Sequence, residues 1–163
     1  MVYSGEFTRI GGKLRLRAAI VSWHEGLLDK AIDAYLRGFE ADWRDAYPGI
    51  NAVTLMELKE PPDPCRLQLI PVVTYAVERR IAAGRPDYWD YATRLELSVL
   101  AKEEQSATKS LGDALASVRE PWEPETTARN LRLIREARER RKEIIPWTKD
   151  AEEALLQRGK EIT

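Results

Sequence analysis

Apolar residues along the chain recur at three- and four-residue spacing within pieces of helical length. Leu28, Ala31, Ile32, Tyr35 and Phe39 form one such set, which falls on a single stripe of an α-helix. Strand-like alternation is nearly absent. Glycine and proline separate the pieces at Gly26, Pro48-Gly49, the run Pro61-Pro62-Asp63-Pro64, Gly84-Arg85-Pro86, Pro121, Pro124 and Pro146. This pattern predicts helices near 12–24, 27–41, 49–59, 70–83, 87–102, 104–118, 124–142 and 148–160. The connections between them are short, which implies an antiparallel stack.

Several boundaries have a physical cause. Proline breaks a helix interior but suits the first turn, where its missing N–H costs nothing, so Pro71 predicts that the fourth helix begins near Ile70. Residues 60–68 then form a loop stiffened by three prolines and longer than the usual 4 to 6 residues or so, either an insertion or a contact surface. Asp87 stands where it can cap the helix that begins with Tyr88 and Trp89, and Glu125, Thr126 and Thr127 supply polar groups at the start of the next-but-one. Gly84 is placed to stop the helix before it.

The stretch from Gly26 to Asp45 resembles the second half of a tetratricopeptide repeat. Gly26, the small residues Ala31 and Gly38, the aromatic Tyr35 and the acidic Asp42 follow that family's order and spacing, with Trp43 where proline is usual. Ala107, Leu111 and Ala114 repeat the small, large, small spacing more loosely, with Tyr88, Trp89 and Tyr91 on the partner helix. The resemblance implies an all-α, tetratricopeptide-like stack of antiparallel helix pairs, about eight helices in one domain over 1–163, with a capping helix at about 148–160. Each helix pair in such a stack buries its apolar stripe against its neighbours.

Three further segments are more specific: 37–55, from Arg37-Gly-Phe-Glu-Ala-Asp-Trp to Leu55; 87–97, Asp87-Tyr-Trp-Asp-Tyr-Ala-Thr-Arg-Leu-Glu-Leu97; and 122–134, Trp122-Glu-Pro-Glu-Thr-Thr-Ala-Arg-Asn-Leu-Arg-Leu-Ile134. Together, over 26–142, they resemble the TRAF-binding domain in the central regulatory region of the apoptosis-signal-regulating kinases and its uncharacterised bacterial relatives. The resemblance implies a helical module for protein association or ligand sensing in signalling or defence proteins, with catalysis supplied by other domains. The region before Gly26 matches only loosely.

Composition narrows the chemistry. Across 163 residues, 26 basic and 27 acidic side chains nearly cancel, so no overall field draws in nucleic acid or an anionic membrane. One cysteine and one histidine cannot build an internal disulfide or a Cys/His zinc site. The longest apolar runs, such as 67–73, fall well short of the roughly 20 residues of a membrane span. The expectation is therefore a cytoplasmic protein with no cofactor, no metal, no nucleic-acid partner and no membrane partner. His24, beside Trp23, reads as a cap on helix carbonyls rather than a catalytic base. Cys65, next to Arg66, is either an incidental thiol or a reactive one. No glycine-x-serine-x-glycine elbow and no phosphate-binding glycine loop occurs. The mixed run 135–142, with Arg138, Arg140, Arg141, Lys142 and two glutamates, reads as a solvated helix face.

Polar residues beside aromatics are the feature least explained by packing. They are Asp45, Tyr47 and Asn51; Tyr88, Trp89 and Glu96; and Trp122, Asn130, Arg132 and Arg135. All lie on the first helices of successive repeats or the turns into them, and first helices line the concave face of a tetratricopeptide stack. They are the candidate binding residues of a non-catalytic module. The leading expectation is a protein-interaction scaffold. The alternative is a small-molecule sensor in which Trp89 and Trp122 stack on a planar group such as a nucleotide base, while Arg132 or Arg135 pairs with phosphates. Residue by residue, helix-start turns and core aromatics are the competing explanation. Association with a second copy of the chain stays open.

Overall fold

The computed structural model describes residues 9–10, 13–14 and 25–162. Two short strands, β1 (Arg9–Ile10) and β2 (Lys13–Leu14), pair antiparallel, with Arg9 opposite Leu14. Lys13 and Leu14 therefore do not join the helix expected over 12–24. The rest of that helix, His24 included, lies outside the described residues.

Seven helices follow: α1 (Glu25–Ala41), α2 (Ala46–Leu58), α3 (Arg66–Ala82), α4 (Tyr88–Ala101), α5 (Glu104–Ala116), α6 (Trp122–Arg140) and α7 (Trp147–Ile162). The all-helical architecture expected from the apolar spacing is present, and helices adjacent in sequence, apart from α5 and α6, pack as antiparallel pairs, closest for α1 with α2, α4 with α5 and α6 with α7. Contacts between α2, α4 and α6 join all three to one another. The seven and eight consecutive residues Arg94 to Leu100 on α4 and Asn51 to Leu58 on α2 are buried, so these helices are enclosed on all sides rather than amphipathic. The main core runs through every helix, from Phe39 on α1 to Leu155 on α7. A second cluster joins Ile32 and Tyr35 to Leu55, Met56 and Ala137.

Local chemistry explains where the helices begin and end. Asp87 accepts hydrogen bonds from Trp89 N and Asp90 N at 2.9 and 3.1 Å, and the Asp90 carboxylate accepts from Asp87 N at 2.9 Å, a reciprocal cap on α4. Gly84 turns the chain out of α3 at φ +96°, a left-handed backbone that glycine adopts without a Cβ clash. Gly26 does not end a preceding helix; it is the second residue of α1.

Two starts differ from expectation. Helix α3 begins at Arg66, not near Ile70, and Pro71 lies inside it. The extra turn is held because Asp63 accepts from Cys65 N at 2.9 Å, its carbonyl accepts from Arg66 N, and the Arg66 side chain is anchored on Glu57. Helix α2 begins at Ala46, so Gly49 is a helical residue. A Cβ there would lie 2.6 Å from Val73 Cγ2 and 3.0 Å from Phe39 Cδ2, and the glycine is what lets α1, α2 and α3 converge.

Candidate functional site

The segments chosen from sequence fall on the start of α2, the start and middle of α4, and the outer side of α6. Around the start of α2 the geometry is local. Asp45 caps the helix by accepting from Tyr47 N at 3.1 Å, and the Asn51 amide donates to the Tyr47 carbonyl at 2.7 Å. Asp45 is exposed, Tyr47 half-buried and Asn51 buried.

The second and third segments meet. Tyr88 packs edge-on against Trp89 with ring centroids 5.1 Å apart, and Trp89 lies against Trp122 at 5.5 Å with 35° between planes. Tyr88 is fully buried and its hydroxyl donates to Thr127 Oγ1 at 2.7 Å, fixing the base of the aromatic row. Burial raises its phenol well above the ordinary value, despite the opposing hydrogen bond with Thr127. At the outer end, Trp122 is 40% exposed in the first turn of α6. One further link joins the two helices: the Asn130 amide donates to buried Glu96 at 3.0 Å.

Arg132 and Arg135 point to α7. Arg135 Nε donates to Glu152 Oε1 at 2.6 Å and Nη1 to Glu139 at 2.8 Å, while Arg132 Nε lies 3.5 Å from Glu152 Oε2. The hydrogen bond to Glu152, then that to Glu139, holds the Arg135 guanidinium above its ordinary pKa. Arg132 keeps nearly half of its side chain in solvent. Helix α7 covers this side of the stack, its Ala151, Glu152 and Leu155 buried.

A larger polar cluster was not marked out by sequence. Buried Glu57, near the end of α2, accepts from Arg66 Nε at 2.6 Å, Arg138 Nε at 3.0 Å and Arg141 Nη2 at 2.6 Å. Arg138 also donates to the carbonyls of Val99 and Leu100 at 2.9 and 3.0 Å, the negative end of α4. Only 1% of Arg138 is exposed. The solvated face expected over 135–142 is thus corrected at this residue: Arg138 follows Leu131 and Ile134 along the inward stripe of α6, and its charge is balanced by Glu57. Arg140 and Lys142 do face solvent. Burial pushes the Glu57 carboxyl up, but attraction to Arg138 and hydrogen bonds from Arg138 and Arg66 outweigh it, leaving the group below its ordinary value. A signal existed in the sequence, since an acid flanked by Leu55, Met56 and Leu58 requires a buried partner.

Arg94 makes a comparable clasp. Its Nε donates to Ser110 Oγ at 3.0 Å, it pairs with Asp113, and its guanidinium lies 5.3 Å from the centre of the Tyr91 ring. Cys65 is exposed at the start of α3, and its neighbour Arg66 spends its donors on Glu57 and the Asp63 carbonyl.

Among the described residues no group of three or more histidine, cysteine or acidic side chains is placed to hold a metal ion, and no helix is long and apolar enough to cross a membrane. Neither a curated protein nor a solved structure matches the chain. The sequence profile of the MAP3K TRAFs-binding domain, a protein-binding family, matches residues 19–155 of the 163, the helical stack and most of α7 included, and the chain belongs to that family.

Proposed function

We propose that this chain is a protein-interaction module of a signalling or defence system, and that its contact surface is centred on Trp122. The observation that supports this is an exposed tryptophan held in place by a second ring, Trp89, whose other side rests on buried Tyr88. A pre-positioned aromatic side chain loses little conformational freedom on binding, and tryptophan and arginine are the residues that most often dominate interface energetics. Arg132, ten residues further along the same helix, offers a half-exposed charge roughly 15 Å away. Under this proposal Trp122, Trp89 and Arg132 touch the partner. Arg135 orients Arg132 through the shared Glu152, Tyr88 with Glu96 and Asn130 holds α4 against α6, and Asp45, Tyr47 and Asn51 set the start of α2. In the sensor alternative a planar ligand would stack on the exposed Trp122 ring; the description of the family as a TRAFs-binding domain favours the protein-binding reading. The family description names TRAFs, so a TRAF-type adaptor in the cytoplasm is the first partner to try.

The test uses a photo-crosslinking amino acid at position 122 in the full chain, with Lys109 on α5 as a control site. Discrete protein adducts are expected from position 122 and not from 109. Arg132→Ala should lower their yield by about tenfold with an unchanged Tm, the loss of one interface arginine. Identical adducts from both sites, or adducts indifferent to Arg132, would overturn the proposal.

A further inference from the structure

Where α2, α4 and α6 end, one carboxylate serves three guanidiniums. The side chains of Glu57 and Arg138 are 2% exposed, that of Arg66 15% and that of Arg141 16%, so three positive charges face one negative charge with little access to water. Neighbouring groups do not correct the excess. Lys59 is matched by Asp29, Arg140 by Glu60 and Lys102 by Glu143. Glu139 is held by Arg135. Glu103 and Glu104 stand at the start of α5, which packs on α4 and α7 rather than on α2 or α3. Asp63 turns its carboxylate to Cys65 N, and Lys142 follows Arg141; neither forms an ion pair among the described residues, and their charges offset each other. Carbonyls of Glu57, Asp63, Val99 and Leu100 accept from the three arginines, and the negative ends of α2 and α4 offset part of the excess. The remainder lies on Arg66 and Arg141. Arg66 bonds through Nε and Nη1 and Arg141 through Nη1 and Nη2, which leaves Arg66 Nη2 and Arg141 Nε without a partner among the described residues. The two side chains hold the two oxygens of the same carboxylate, so their guanidiniums are neighbours.

We propose that Arg66 and Arg141 together bind a small oxyanion of the phosphate or sulfate type on the solvent side of Glu57. Charge selects the class. A buried cation without a counter-charge is costly, and an anion carrying up to two negative charges removes an excess that a single carboxylate only halves. The donors suit it as well, because a guanidinium presents five N–H groups in a planar fork that matches the oxygens of phosphate. Each of these two arginines spends two of its nitrogens inside the cluster and keeps the third for the ion. The bound ion joins the start of α3 to the residue just past the end of α6, so the stability of the stack responds to the concentration of the ion. The site lies at the opposite end of α6 from Trp122 and is independent of the surface proposed there.

Thermal melts of the full chain in sodium phosphate, against sodium chloride of equal ionic strength and pH, test the proposal. Phosphate and sulfate also stabilise proteins by exclusion from their surfaces, an effect that grows steadily with concentration, whereas binding at a site saturates. A saturating rise in Tm is expected, about 3–5 °C at roughly tenfold excess over the dissociation constant. Sulfate should reproduce it and sodium acetate should not. Arg141→Gln and Arg66→Gln, on separate elements, should each abolish the saturating part, with circular dichroism confirming that the variant folds. Arg129→Gln removes the same charge from an exposed arginine that forms no ion pair among the described residues, and it should keep the full rise. Calorimetric titration of the native chain with inorganic phosphate gives a reading that needs no variant, and one ion per chain is expected. No saturating rise and no heat of binding in the native chain, a rise that survives both Arg66→Gln and Arg141→Gln, or an equal rise with acetate would each overturn the proposal.

Discussion

At Glu57 the adjacent residues are apolar, Leu55 and Met56 before it and Leu58 after it, and the side chain is buried with three guanidiniums around it. Removing one member of such a cluster leaves the others charged and unpaired. Glu57→Leu should destabilise the fold by about 3–5 kcal/mol, read as a lower urea midpoint, whereas breaking the exposed Lys149–Glu153 pair should cost at most about 0.5 kcal/mol. The pH dependence has a definite sign. A carboxyl whose folded pKa is depressed contributes fully above its unfolded value, and the contribution is lost as pH falls through the folded one. The urea midpoint of the native chain should therefore drop on acidification below the ordinary carboxylate range, and the drop should be shallower in Glu57→Gln. This residue was poorly legible in the sequence because its partners are remote: Arg138 is 81 positions away. Asp87 was easily read because the N–H groups it caps are two and three positions on.

Individual helices show the same division between local and distant causes. The spacing of apolar residues located all seven described helices, since period and punctuation are properties of neighbouring residues. Their starts were harder. Pro71 reads as a first-turn residue, yet α3 reaches back to Arg66 because Glu57, on another helix, draws the Arg66 side chain inward. The proline thus sits where its missing N–H cannot bond to the Leu67 carbonyl. Pro71→Ala should raise stability by about 1–2 kcal/mol, less than the full helix-interior penalty because proline also restricts the unfolded chain, and a higher Tm would show it. Gly49 has the opposite role. Gly49→Ala places a methyl group into Val73 and Phe39 and should cost about 1–3 kcal/mol, measured by the same melt. From sequence, Gly49 with Pro48 reads as a turn; that a third helix passes against it is a fact of packing.

Across the whole molecule, the stacking of antiparallel pairs follows from the repeat-like spacing, but the enclosure of α2 and α4 does not. A regular stack lets each repeat touch only its neighbours, so stability is close to a sum of local terms. Here α2 contacts α6 as well as α4, and Arg138 ties the ends of all three helices together. Polar residues beside aromatics marked Trp89, Trp122, Asn130 and Glu96 among ten candidates, and these four lie on the α4–α6 contact, whereas Asp45, Tyr47 and Asn51 stay local to α2; the clasp at Glu57 needed the third dimension. That clasp sets the array's length. Ordinary repeat proteins grow or shrink by gaining or losing units, because an added pair extends the end and leaves the rest undisturbed. In this chain a helix pair inserted between α2 and α6 would carry Arg138 away from its carboxylate and strand both charges. The unit count is fixed from within, and lineages of this architecture should vary in their loops and appended domains while keeping the same number of helices between Glu57 and Arg138.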